Sequence, residues 1–316
     1  MRAAVLSAFG SPPQIAQVAE PDPAPDEVMI TVAAAALKQL DRALGWGEHY
    51  ASPKALPVIC GTDGVGRTDS GERVFFAVNR RPFGAMAERA PASWTVPIPA
   101  TLDDVLAAAI VNPALGAWLP LVWRAALQPG ETVLVLGATG ASGRQAVAAA
   151  RLLGAGRVIV AGRNHAALDA LDADDKIDLT MDEAKLRQRF AEIVAMGLDV
   201  IVDYVWGNPV EVLLSVLAKA DLIAKDGGAP IRLVSVGEMA GPTVALPSTV
   251  LRGSWLTILG SGTANFPPMD RLQEFVAEIL DRASAGDITI ATEEHALADV
   301  EACWRGNSSR RIVLRP

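Results

Sequence analysis

Apolar residues along this chain fall into two textures. The first third holds short strand-like runs, 2–8 (RAAVLSA) and 27–36 (EVMITVAAAA), joined by the proline-rich connector PDPAPDE. Residues 58–68 (VICGTDGVGRT) follow, interrupted by Gly61, Gly64 and Gly66, and GERVFFAV is a further short β run. Short strands at this spacing predict an irregular, partly barrel-like β domain. From residue 101 the texture changes. TLDDVLAAAIV opens with Thr101, Asp103 and Asp104, suited to a helix N-terminus. Asn112-Pro113 predicts a break, with a second helix around 113–127. After the turn Gln128-Pro129-Gly130, continuous runs at 132–137 (TVLVLG), 157–162 (RVIVAG), 198–205, 231–237 and 255–260 alternate with helical segments. That alternation predicts a parallel sheet covered on both faces. Residues 269–285 read as a helix and RRIVLRP as a final strand.

Composition narrows the class. The 316 residues are 51% hydrophobic and 20% charged, which excludes a disordered chain, and the length suits two domains. Lys and Arg number 28 against 36 Asp and Glu, a net charge of −8. With no basic run, nucleic acid is not an expected partner. Two cysteines, Cys60 and Cys303, are too few for a disulfide framework and suit a reducing, cytoplasmic compartment. The N-terminus does not read as a signal peptide. Val105 to Trp123 is uncharged and long enough to span a membrane, but Asn112-Pro113, Gly116 and Pro120 interrupt it. It is expected to form buried helices, without membrane insertion.

VLVLGATGASGRQAVAAA carries the most chemistry. A strand ends, Gly137, Gly140 and Gly143 follow at a spacing of three, and a helix begins. Glycines let a backbone approach a pyrophosphate, and the helix N-terminus offers free N–H groups. Thr139, Ala141 and Ser142 complete the loop. At the end of the next strand, where an acid would bond the ribose 2′-OH of NAD, stand Gly162, Arg163 and Asn164. The fork of Arg163 matches a 2′-phosphate, so the expected cofactor is NADPH.

The opening MRAAVLSAFG, the segment LPVICGTDGVGRT, the loop GATGASG and the C-terminal HALADVEACWRGNSSRRIVLRP, in that order and spacing, resemble the medium-chain dehydrogenase/reductase superfamily. Within it they resemble the zinc-free quinone oxidoreductase branch, over essentially the full length. The resemblance implies an α/β protein. A GroES-like catalytic domain over 1–112 would be completed by 267–316, and a doubly wound Rossmann domain would cover 113–266, with the active site in the cleft between them. WLTILG would be the sixth strand, which in such proteins often pairs across a homodimer. The positions matching zinc ligands are Lys38, Thr62 and Asn112, none a good ligand, so no metal is expected.

The resemblance further points to Tyr50 as a group bonding or protonating an acceptor oxygen, with Lys38 and Asp41 nearby. Lys38 stands where the branch usually has Asn. It could reach the ribose or the acceptor, or it could pair with Asp41. His49 is an alternative donor, and Trp46 a wall for a flat acceptor. Backbone groups of Val236, Gly237, Gly260 and Ser261, at strand ends, would meet the cofactor, with Asp203, Tyr204, Ser235 and Leu259 beside them. Arg310 and Arg311 replace a Gly-Lys pair and read as surface charges or distant phosphate partners. The implied activity is hydride transfer from NADPH to a quinone or activated enone. An enoyl-thioester or alkenal reductase, with Arg80-Arg81 receiving an acidic carrier, remains open, as does a non-catalytic NADPH-binding sensor or structural protein.

Overall fold

The structure is a computed structural model that describes residues 1–47, 49–218 and 230–316. The chain divides into two compact units, Met1–Val111 with Gln273–Pro316, and Asn112–Leu272.

The first unit begins with strands β1 (Arg2–Leu6), β2 (Gln14–Gln17) and β3 (Val28–Ala36), then helix α1 (Gln39–Trp46). Strands β4 (Val58–Ile59), β5 (Asp63–Thr68), β6 (Arg73–Ala77), β7 (Arg89–Ala92) and β8 (Trp94–Pro97) follow. Gly64 and Gly66 do not break the chain; they lie inside β5. A Cβ on Gly66 would fall 2.4 Å from both Ile30 Cγ2 and Thr31 O, so β3 and β5 pack closely only because that side chain is missing.

Helix α2 (Asp104–Trp118) corrects the expected break. Asp103 Oδ2 accepts from Val105 N and Leu106 N, capping the helix start, and the helix then runs through Pro113 without ending. A π-helical turn, Leu119–Arg124, extends it, so the expected second helix is a continuation of the first. Proline removes one hydrogen bond, but most of this apolar helix is buried, and packing outweighs that local loss. Asp104–Arg124 is long and apolar enough to cross a membrane by length and composition alone; 72% of its apolar window is buried.

The second unit alternates strands and helices: β9 (Thr132–Leu136), α3 (Ala141–Leu152), β10 (Arg157–Gly162), α4 (His165–Asp169), β11 (Asp175–Asp178), α5 (Glu183–Met196), β12 (Val200–Asp203), α6 (Gly207–Leu217), β13 (Ile231–Ser235), α7 (Ser248–Gly253) and β14 (Leu256–Gly260). The strands form a six-stranded parallel sheet in the order β11-β10-β9-β12-β13-β14. Val133 to Leu136 and Val158 to Ala161 are fully buried, as expected where both faces of a sheet are covered. The short, charged β11 has no apolar signature and was not legible in the sequence pattern.

After α8 (Met269–Ala285) the chain adds β15 (Thr292–Ala296), α9 (Val300–Arg305) and β16 (Arg311–Arg315). In the first unit β15-β16-β3-β5-β6-β8 run side by side, with β7 also on β3, while β2-β1-β4 form a separate small sheet. The C-terminal strand thus pairs with one laid down near the N-terminus, Val313 opposite Ala36.

Candidate functional site

In the second unit, the carboxyl end of β9 leads into the glycine loop. Gly137 adopts φ +83°, open to glycine at little cost. Gly140 is the N-cap of α3 and supplies no side chain to close it, so the amides of Ala141, Ser142 and Gly143 face outward from the first turn. A Cβ on Gly143 would fall 2.3 Å from Gly137 O and 2.7 Å from Ala138 Cα. The helix can start this close to the strand only with glycine there. Gly116, from α2, would similarly meet Ser142 Oγ at 3.2 Å. This is a cradle that fits a pyrophosphate: open backbone donors at a helix N-terminus, with no side chain filling it. Arg144 Nε donates to Thr139 O at 3.1 Å, which holds a guanidinium beside the loop. The sequence reading missed that cation, because an arginine one position past the last glycine has no signature of its own.

β10 ends at Gly162. Arg163 is exposed, and among the described residues no ion pair holds its guanidinium. Asn164 is occupied otherwise: its Oδ1 accepts from Ala167 N at 3.0 Å and caps α4. The later strand ends converge on the loop. A Cβ on Gly137 would meet Val205 Cγ1 at 3.0 Å and Tyr204 Cβ at 3.2 Å, and one on Gly237 would meet Tyr204 O at 2.9 Å. The amides of Val236 and Gly237 both donate to Asp203 O, and Ser261 N donates to Ser235 O. Those three amides are therefore committed within the protein, and their carbonyls remain. Gly260 has only Asn265 Oδ1, at 3.5 Å, near its missing Cβ.

Asp203 is fully buried, and its carboxylate accepts from Val205 N at 2.9 Å and Trp206 N at 3.1 Å. Burial pushes its pKa up to about 6, against those two bonds. Trp206 holds φ +53°, a strained region for a large side chain. Tyr204 is buried, donates to Gly116 O at 2.7 Å, and burial raises its phenol well above the ordinary value.

In the first unit, Lys38 is the N-cap of α1 and Asp41 its third residue. Asp41 Oδ2 accepts the Lys38 backbone N–H at 2.8 Å, one half of a capping box. The same turn brings the carboxylate within 3.8 Å of Lys38 Nζ. The stronger partner is Asp63, at the start of β5, whose Oδ2 lies 2.8 Å from Nζ and also accepts from Thr62 Oγ1 at 2.8 Å. Lys38 is 1% exposed. Arg311 donates to Leu37 O at 3.2 Å, and its charge acts on both Asp41 and Asp63. Burial lowers the Arg311 pKa and raises that of Asp41. Two cations and two carboxylates thus share one buried cluster. Asp63 was missed in the sequence, and Arg311, expected as a surface charge or distant phosphate partner, is instead half-buried beside the two carboxylates, because β5 and β16 bring together residues far apart along the chain.

Tyr50 is elsewhere in character, 70% exposed, with its ring 4.2 Å from that of His49. Trp46 is 63% exposed. Cys60 and Cys303 are free and buried, and burial pushes the Cys60 thiol up to about 12. Arg80 is committed to Glu27 and to Asp22 O and stacks over Phe83, while Arg81 is exposed. Among the described residues, no group of three or more His, Cys, Asp or Glu could hold a metal ion.

The second unit's strand order, reversing between β9 and β12, with a glycine loop at that point, defines a doubly wound dinucleotide-binding unit. No family model matches the chain. A probable NADPH-dependent quinone reductase of Emericella nidulans is 26% identical over the whole of both chains. The quinone oxidoreductase of Thermus thermophilus, solved alone and with NADPH, is 28% identical with a TM-score of 0.79 over both full chains. A mycobacterial quinone oxidoreductase, 22% identical, shares the fold with a TM-score of 0.84 over both full chains. Over its full length the chain is thus similar to NADPH-dependent quinone reductases of the medium-chain dehydrogenase/reductase superfamily.

Proposed function

We propose that this chain is an NADPH-dependent reductase that delivers a hydride to a quinone or activated enone without zinc. The observation that carries the reading is the open cradle at the N-terminus of α3, with the exposed Arg163 at the end of β10. Gly137, Thr139, Gly140, Ala141, Ser142 and Gly143 would hold the pyrophosphate. Arg163, after Gly162 and beside the capping Asn164, would meet the 2′-phosphate as a bidentate partner. Carbonyls at Val236, Gly237, Gly260 and Ser261 would face the rest of the nucleotide. NADPH, when bound, supplies the hydride; the acceptor gains that hydride and one proton, giving quinol and NADP⁺.

A quinone or enone spreads incoming charge onto its own oxygen, so the protein needs to orient and protonate rather than polarise through a metal. Tyr50 is the proposed proton donor or hydrogen-bond partner of that oxygen, with a water-accessible phenol. Lys38 and Asp41 act as positioning residues: their buried pair fixes the start of α1, which carries the chain toward Tyr50. The engagement of Arg80 with Glu27 leaves less for an acidic thioester carrier, so quinone and enone acceptors are preferred. The chain would act as a homodimer through β14, the edge strand of the parallel sheet, beside exposed Trp255 and Leu251. Free, buried cysteines suit a cytoplasmic setting.

The test mixes metal-stripped protein with NADPH and, separately, NADH, and follows cofactor oxidation against ortho- and para-quinones, a linear enone, a crotonyl thioester and a simple aldehyde. Turnover of a quinone or enone with NADPH, unchanged by chelator, is the expected result. Binding of NADPH with no acceptor reduced would overturn the catalytic reading in favour of a sensor.

A further inference from the structure

We propose that Thr139, at the centre of the glycine loop, sets the choice between the two nicotinamide cofactors by keeping any side chain off the end of β10. The inference deepens the nucleotide-site reading above and rests on it.

Discrimination at this place depends on the last residue of the second strand, where a carboxylate would bond a ribose 2′-OH. Here that residue is Gly162, and the space beside it is already filled. A Cβ at 162 would lie 2.9 Å from Thr139 Cγ2, 3.2 Å from Thr139 Oγ1 and 3.3 Å from Leu168 Cδ2. Leu168 is buried and belongs to α4, so it has little freedom to yield.

Thr139 is held as well. Its carbonyl accepts from Arg144 Nε, and the next residue, Gly140, donates to Gly137 O at 3.1 Å. Gly137 N and Ala138 N both donate to Ala161 O, at 2.9 and 3.0 Å, stitching the loop to the end of β10. A β-branched side chain in such a loop has few rotamers through which to step aside. Any residue larger than glycine at 162 must therefore push aside the Thr139 side chain, which stands in the loop that receives the pyrophosphate. Arg163, one position on, is exposed and meets no such obstacle. Preference for the phosphorylated cofactor thus has two parts: a cation at 163 and a steric bar at 139 against the competing carboxylate.

The experiment is a double-mutant cycle with two readouts, cofactor binding by fluorescence and thermal melting without cofactor. Gly162→Ala is expected to lower the melting temperature by several degrees beside Thr139, and much less in a Thr139→Ala background. Gly162→Asp alone is expected to weaken both NADPH and NADH. Thr139→Ala with Gly162→Asp is expected to tighten NADH by about tenfold or more over Gly162→Asp alone. Equal melting shifts for Gly162→Ala in both backgrounds, or NADH gained by Gly162→Asp with Thr139 in place, would overturn the gate. A wild-type protein that binds neither nucleotide would overturn the nucleotide-site reading itself and the gate with it.

Discussion

At Lys38 an ammonium group is held by two carboxylates with almost no access to water, and its removal leaves Arg311 as the one cation of the cluster against both of them. Lys38→Met is expected to destabilise the first unit by about 3–5 kcal/mol, read by urea unfolding. Adding Asp63→Asn should recover part of that loss, and failure to recover any would show that the cluster is not coupled. Asp203 acts in the opposite sense to most carboxylates. Burial raises its folded pKa from 3.8 to about 6, so the folded state binds the proton more tightly than the unfolded one. Stability from this group is therefore highest below pH 3.8 and falls as pH rises to about 6, by about 3 kcal/mol in all. Asp203→Asn keeps an oxygen for the Val205 and Trp206 amides and should remove that slope. Parallel pH profiles for both proteins would refute the assignment. Arg163→Ala should raise the NADPH dissociation constant by about tenfold or more while leaving NADH within about threefold.

Among the elements, α3 depends on a single missing methyl group. Gly143→Ala drives a Cβ into Gly137 O and Ala138 Cα, which are backbone atoms that cannot rotate away. Loss of nucleotide binding together with a lower melting temperature is the expected outcome; an unchanged titration would mean the junction is looser than its geometry. The sequence exposed this junction plainly, since three glycines between a buried strand and a helix have few other uses. It misled at α2, where Asn112-Pro113 suggested two helices. Local hydrogen bonding argues for a break there, while burial along the element keeps it whole. The glycines of β5 misled in the same way. Gly66 punctuates the chain when read locally, yet in the sheet it is the residue that lets β3 approach.

For the whole molecule, the edge position of β14 and the exposed Trp255 and Leu251 lead to an expected solution mass of twice the 33.1 kDa chain. Leu251→Glu with Trp255→Glu should shift light scattering toward the single chain, and a wild-type monomer would refute the interface outright. The alternation of buried strands with helices, the glycine loop and Arg163 were all written locally, because strand, turn and helix signals act over a few residues. So was the capping relation of Lys38 and Asp41, three positions apart. What tertiary structure alone decided lies at long separation. It brought Asp63 against Lys38 and Arg311 beside the two carboxylates, set Thr139 beside Gly162, and buried Asp203 where ionisation is costly. Contacts of that kind depend on which strands become neighbours and how closely they pack, and no local pattern of apolar and polar residues encodes a distance across a sheet.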